Sequence, residues 1–168
     1  MPIDRQPVRT RQRGRSCRPP PEACRYLVAI EDWDWSLRFG VSDRRYQAQP
    51  FGDYRHLQIR GPLLRPHLAT VRAVELTLLP ETKLGSEDWP DGWPTGAGSL
   101  SLNPHLGHLL QGLLSFPADA LAPILTMMAT GRFKYVLLDG APLRHRRAPI
   151  RHYRLAMGYD EEEFPSDL

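Results

Sequence analysis

Hydrophobic and polar residues alternate with a period of two along much of this chain. Trp33, Trp35, Leu37 and Phe39 are interleaved with Asp34, Ser36 and Arg38 as far as Gly40. Leu57 and Ile59 alternate with His56, Gln58 and Arg60 and stop at Gly61-Pro62. Val74, Leu76 and Leu78 alternate with Glu75 and Thr77 up to Pro80, and Leu100 and Leu102 with Ser99 and Ser101 up to Asn103-Pro104. Successive side chains of a strand point to opposite faces, so each segment predicts a strand buried on one face and wet on the other. Residues 26–31 and 107–116 are more continuously apolar, Tyr135 to Asp139 reads as a central strand closed by Gly140, and Ile150 to Met157 as the last strand. About eight strands separated by Gly and Pro are the signature of a sandwich or barrel, and the expectation is an all-β fold, an antiparallel β-sandwich with one short helix.

The helix is predicted where the period changes. Leu121, Ile124, Leu125 and Met128 recur at helical spacing, with Asp119 near the start and Gly131 just past the end. Pro123 is tolerated only in a first turn, which puts the helix start near Asp119 or Ala120. This element connects two strands and is expected to cap one open end of the sandwich. The longest loop, 85–98, contains Trp89-Pro90-Asp91-Gly92-Trp93.

Composition changes the picture mainly at the N-terminal end. Residues 1–25 hold seven arginines against Asp4 and Glu22, a net of +5, whereas residues 26–168 carry a net of −2. The first segment is Arg, Pro, Gln and Ser with little to bury, and is expected to be a disordered basic arm. The sandwich domain is expected at 26–159, and the acidic tail 160–168 is expected to fray. No apolar run approaches the roughly 20 residues of a membrane helix, and the arm lacks the apolar stretch of a secretory signal. The expectation is a cytoplasmic protein with no membrane partner. Basic residues are almost all arginine, with lysine only at positions 83 and 134, in a chain also rich in Ala, Gly and Pro. Arginine suits phosphate recognition, but that combination fits the codon bias of a GC-rich bacterial genome better, so no single arginine points to a function.

Few residue patterns point to chemistry. Cys17 and Cys24 cannot complete a zinc site by themselves, and His105 and His108, spaced H-x-x-H, do not match the i, i+4 pair of a zinc-protease helix. No cofactor or metal is expected. There is no nucleophile elbow and no glycine-rich phosphate loop. Asp32 and Asp34 share one strand face about 7 Å apart, a separation carboxylate pairs use in glycoside hydrolysis, though a solvated face is the simpler reading. Trp89, Asp91 and Trp93 combine stacking surfaces with a hydrogen-bond acceptor, a set suited to a sugar ring. A second basic cluster, Arg144, Arg146, Arg147 and Arg151 with His145, His152 and Arg154, is a candidate polyanion site or a charged edge strand. Period two puts Arg144 and Arg146 on one face, and Arg151 and Arg154 on opposite faces.

These patterns favour a non-catalytic binding or scaffold module whose partner is another protein. The alternatives are weak nucleic-acid or polyanion binding through the arm and residues 144–154, and carbohydrate binding or glycoside chemistry at the Trp89/Trp93 loop.

Overall fold

The computed structural model describes residues 23–41, 51–82, 96–103 and 105–164. The period-two segments and the other segments read as strands all form strands: β1 (Cys24–Ala29), β2 (Asp32–Val41), β3 (Phe51–Gly61), β5 (Ala73–Glu81), β6 (Gly98–Leu102), β7 (Leu109–Pro117), β8 (Tyr135–Gly140) and β9 (Arg147–Ala156). A three-residue strand, β4 (Leu63–Arg65), follows β3 directly. Helix α1 (Leu121–Ala129) lies between β7 and β8, preceded by a 3-10 turn at Ala118–Ala120 and ended by Gly131 at φ +63°. A left-handed residue after the last turn is a common helix stop, and glycine adopts it without a Cβ clash.

The strands make one mixed sheet in the order β2-β3-β5-β7-β6-β9-β8-β1-β4. All pairs are antiparallel except β5 with β7, which run in register from Ala73↔Leu109 to Glu81↔Pro117. The cause is β6, which forms an antiparallel hairpin with β7 and lies on its far side, so β7 runs the same way as β5. The expected antiparallel arrangement is corrected at this one seam.

The sheet also closes on itself, which replaces the two facing layers of a sandwich. β1 and β2 are one strand bent at Ile30-Glu31, and β3 and β4 are one strand bent at Pro62. The Ala29 N–H donates to the Pro62 carbonyl (3.1 Å) and the Glu31 N–H to the Arg60 carbonyl (3.0 Å), so the two bent strands stay paired through both bends. β1 pairs with β4 on one side and with β8 on the other, from Cys24↔Gly140 to Ala29↔Tyr135. Neighbour by neighbour, the ring therefore returns to its start, and closure removes the sheet edges along the wall. Gly61 permits it: a Cβ there would overlap the Ala29 carbonyl.

Alternate residues of every wall strand point into a single core. Tyr26, Val28, Leu57, Ile59, Leu76, Leu100, Leu110, Leu114, Val136, Leu138 and Ile150 are buried there. Such a core is filled by side chains and is not a pore. Gly112 leaves room in the middle, since a Cβ on it would strike the Leu76 side chain and sit 2.9 Å from Leu100 Cδ2. Helix α1 covers one end with Leu121, Ile124, Leu125 and the buried Met128, as expected for a cap. Val71 and Leu143 pack against the core from loops at the other end. Two tyrosines anchor their hydroxyls in this frame. Tyr26 donates to the Ala141 carbonyl (2.8 Å) and Tyr153 to the Ser115 carbonyl (2.9 Å). Burial raises both phenols, Tyr153 to about 12.

The C-terminal acidic segment is docked as far as Phe164, contrary to the expected fraying. Asp160 caps a 3-10 turn at Glu161–Glu163 by accepting from the Glu162 N–H (3.0 Å). Phe164 packs on Leu27 and Leu137, on the outer face of β1 and β8, with Tyr135 and Tyr159 around it. Arg154 binds the Glu163 carboxylate, and Arg25 donates to the Glu163 carbonyl (2.8 Å).

Candidate functional site

Each end of the barrel gathers loops from distant parts of the sequence. At the end opposite α1 lie the starts of β1, β5, β7 and β9 and the ends of β4, β6 and β8. Its loops are 66–72, 103–108 and 141–147. These three loops contain Arg72, Arg144, Arg146 and Arg147, four histidines (His67, His105, His108, His145), and no Asp or Glu. Arg65 closes β4 beside them. All of these basic side chains are exposed. Among the described residues, none of Arg72, Arg144, Arg146 and Arg147 forms an ion pair. Ala23 leads into β1 at this same end, so residues 1–22, with six arginines against Asp4 and Glu22, are joined to the barrel here. The described stretch that carries α1 at the opposite end, 118–134, holds Asp119 against Arg132 and Lys134. The body's net charge of −2 conceals this separation.

The tip of the basic end is a two-residue hairpin turn. The Arg144 and Arg147 backbones exchange both hydrogen bonds at 2.9 Å, and the central His145 and Arg146 have φ of 49° and 65°. Two successive left-handed residues define a type I′ turn, a position usually filled by Asn-Gly. The Arg146 carbonyl accepts from the Leu102 N–H (2.9 Å), which ties the turn to β6. A second loop is held by Asn103, whose side-chain oxygen accepts from the His105 and Leu106 N–H groups (both 2.9 Å). That turn presents His105 to solvent.

The polyanion candidates are thus partly assembled. Arg144, Arg146 and Arg147 meet on the turn. Arg151 is the extra residue of a β-bulge, because Asp139 pairs with His152 and Gly140 with Ile150. The bulge resets the alternation: Tyr153 turns inward to the core, and Arg151 and Arg154 both lie on the outer wall, away from the tip. The expectation that they occupy opposite faces is corrected by this bulge. β9 is also not an edge strand, since β6 and β8 flank it. Arg72, His105 and His108 belong to the basic end and cannot be grouped with it from sequence, because their loops lie over 30 residues from the turn.

The other candidates fare differently. Trp89, Asp91 and Trp93 lie outside the described residues. Asp32 and Asp34 share the outer face of β2, where Asp32 accepts from Arg60 (3.0 Å). Arg60 continues to Glu75 (3.6 Å), and Gln111 and Asn103 extend this polar ladder across β5 and β7. Asp32 is therefore part of a surface network, not a carboxylate facing a cleft. Among the described residues, no three His, Cys, Asp or Glu are placed to hold a metal. Two clefts of about 200 and 410 Å³ flank Phe164 and share Arg25 and Glu163. Their charged groups are largely spent on each other, as Arg25 binds Asp139 (3.1 Å) and Arg154 binds Glu163. No described helix is long and apolar enough to cross a membrane.

No protein-family model, curated protein or solved structure matches this chain. The class of protein is therefore defined by the fold and site alone: a filled, closed β-barrel with one strongly basic end.

Proposed function

We propose that this protein is a non-catalytic binding module that takes a phosphate-bearing polyanion, nucleic acid in the first instance, on the basic end of its barrel. The observation that carries the reading is the collection of four arginines and four histidines from three separate loops, with no acid among them. Arginine suits phosphate because its planar fork donates two parallel hydrogen bonds. The arginine-rich segment 1–22 is joined to the chain at this same end. Binding of this kind is dominated by counterion release and carries little sequence preference. Few aromatic side chains stand among the basic ones, so stacking contributes little. This reading is preferred to a protein partner because Leu106 is the one large exposed apolar side chain among the described residues of these loops. The carbohydrate reading depends on Trp89, Asp91 and Trp93, and no described observation favours it.

Fluorescence anisotropy with labelled single-stranded and duplex oligonucleotides tests the proposal. A chain beginning at Ala23 should retain binding. Replacing Arg72, Arg144, Arg146 and Arg147 with Ser should remove most of what remains. The log–log salt slope should fall by about 0.9 for each duplex phosphate no longer neutralised. Binding that disappears with residues 1–22 and ignores the four substitutions would refute the barrel end as the site.

A further inference from the structure

β2 carries a second surface, unrelated to the basic end. Its Trp33 and Trp35 point inward and pack against the core. The same face then runs on past the barrel wall as Leu37, Phe39 and Val41, which are 58%, 68% and 67% exposed. β3 pairs with β5 only from Leu57 to Gly61, so the outer halves of β2 and β3 project as a two-stranded ribbon. Among the described residues, the edge of β2 facing away from β3 has no strand partner. Long exposed strand edges with an apolar face are templates for further pairing.

The sequence of β2 is complementary to itself in the antiparallel register that uses its unpaired carboxylate, Asp34. Pairing two copies about Ser36 sets Asp34 opposite Arg38 and Arg38 opposite Asp34, Trp33 opposite Phe39, and Trp35 opposite Leu37. Every residue meets one on its own face, because each pair is separated by an even number of positions. Asp34 and Arg38 are both exposed, and neither has an ion pair among the described residues. Shifting the register by two residues sets Arg38 beside Ser36 in one direction, which loses both charge pairs, and beside Asp32 in the other, whose carboxylate is already engaged by Arg60 (3.0 Å).

We infer that the protein forms a twofold-symmetric dimer by antiparallel pairing of the β2 edges, centred on Ser36. The pairing joins the two ribbons into a continuous sheet and lays the exposed apolar stripe of each copy alongside the tryptophan-bearing root of the other. The interface is isologous, so it closes at two copies and does not propagate.

Charge exchange tests both the dimer and its register. Sedimentation velocity on the full chain should show a concentration-dependent dimer in the micromolar range. D34R and R38D each place like charges opposite one another twice per dimer, and each should weaken association about tenfold or more. Mixing the two single variants should restore a heterodimer, and the double variant D34R/R38D should restore the homodimer. Circular dichroism should be unchanged in all of them, as both side chains are on the exposed outer face. In addition, oxidised S36C should crosslink to itself across the twofold axis, beyond any crosslinking of the wild type. A wild type that stays monomeric to about 1 mM overturns the inference. So do single variants that dimerise normally, a mixture that fails to recover, or an S36C that does not crosslink.

Discussion

The hairpin tip at Arg144–Arg147 sets binding against stability, and one substitution pair separates the two. His145 and Arg146 occupy the left-handed region at φ 49° and 65°. For an L-residue this conformation costs roughly 1–2 kcal/mol relative to the right-handed one, less for residues such as Asn that bond locally. Replacing Arg146 with Gly removes that cost but adds about 0.5–1 kcal/mol of backbone entropy to lose on folding. Replacing His145 with Asn recovers a few tenths more. The net expectation for H145N/R146G is a gain of about 1 kcal/mol, which raises the melting temperature by roughly 2–4 °C in a protein of this size. The same change removes one arginine and one histidine from the basic end. Oligonucleotide affinity should therefore fall and its salt slope should shrink. Differential scanning calorimetry and anisotropy on one preparation read both effects. A melting temperature that stays level or drops would show that the turn is not strained as the dihedrals imply. Unchanged affinity would remove the tip from the binding surface.

Three further outcomes follow from the packing. Gly112→Val should destabilise by about 1–3 kcal/mol in urea unfolding, because its side chain would collide with Leu76 and Leu100 inside a filled barrel. Phe164→Ala should release the C-terminal segment from Leu27 and Leu137, detected as cleavage near residue 160 in limited proteolysis, with a drop in stability of about 2–3 kcal/mol. The raised phenols of Tyr26 and Tyr153 stabilise the fold in their neutral form. That contribution is complete below the unfolded value of 10.0 and declines as pH rises from 10 toward about 12. Absorbance at 295 nm should show these two phenolates appearing only with loss of the circular dichroism signal, and Tyr153→Phe should remove part of the alkaline instability.

The strands were legible in sequence because burial on one face of a sheet imposes alternation; the exception in burial is the outer half of β2, where Leu37 and Phe39 keep the alternation but stand exposed beyond the wall. The helix was legible for the same reason at a different period. Closure of the sheet was not legible. Gly61-Pro62 carries the local signature of a turn, yet the chain bends there and continues as β4, and only the distant Ala29 backbone explains the glycine. The parallel contact of β5 with β7 was hidden because it depends on where β6 inserts. The candidate site was half legible. Arg144, Arg146 and Arg147 are near neighbours in sequence, but Arg72, His105 and His108 join them only through the barrel's topology. The bulge at Arg151 inverted the facing of everything after it, which no alternation rule anticipates.

Closure of the ring also dictates an order of events in synthesis. β1 is the first of the described strands, and one of its two partners, β8, lies 114 residues later, as the Arg25–Asp139 pair records. Until residue 140 has emerged, Tyr26, Leu27 and Val28 can pair only with β4 on one side, and the sheet cannot close on the other. Contacts of such long sequence separation are slow to form. Closure thus requires fastening an early strand to one made late, and the interval before it leaves a sheet edge open to aggregation.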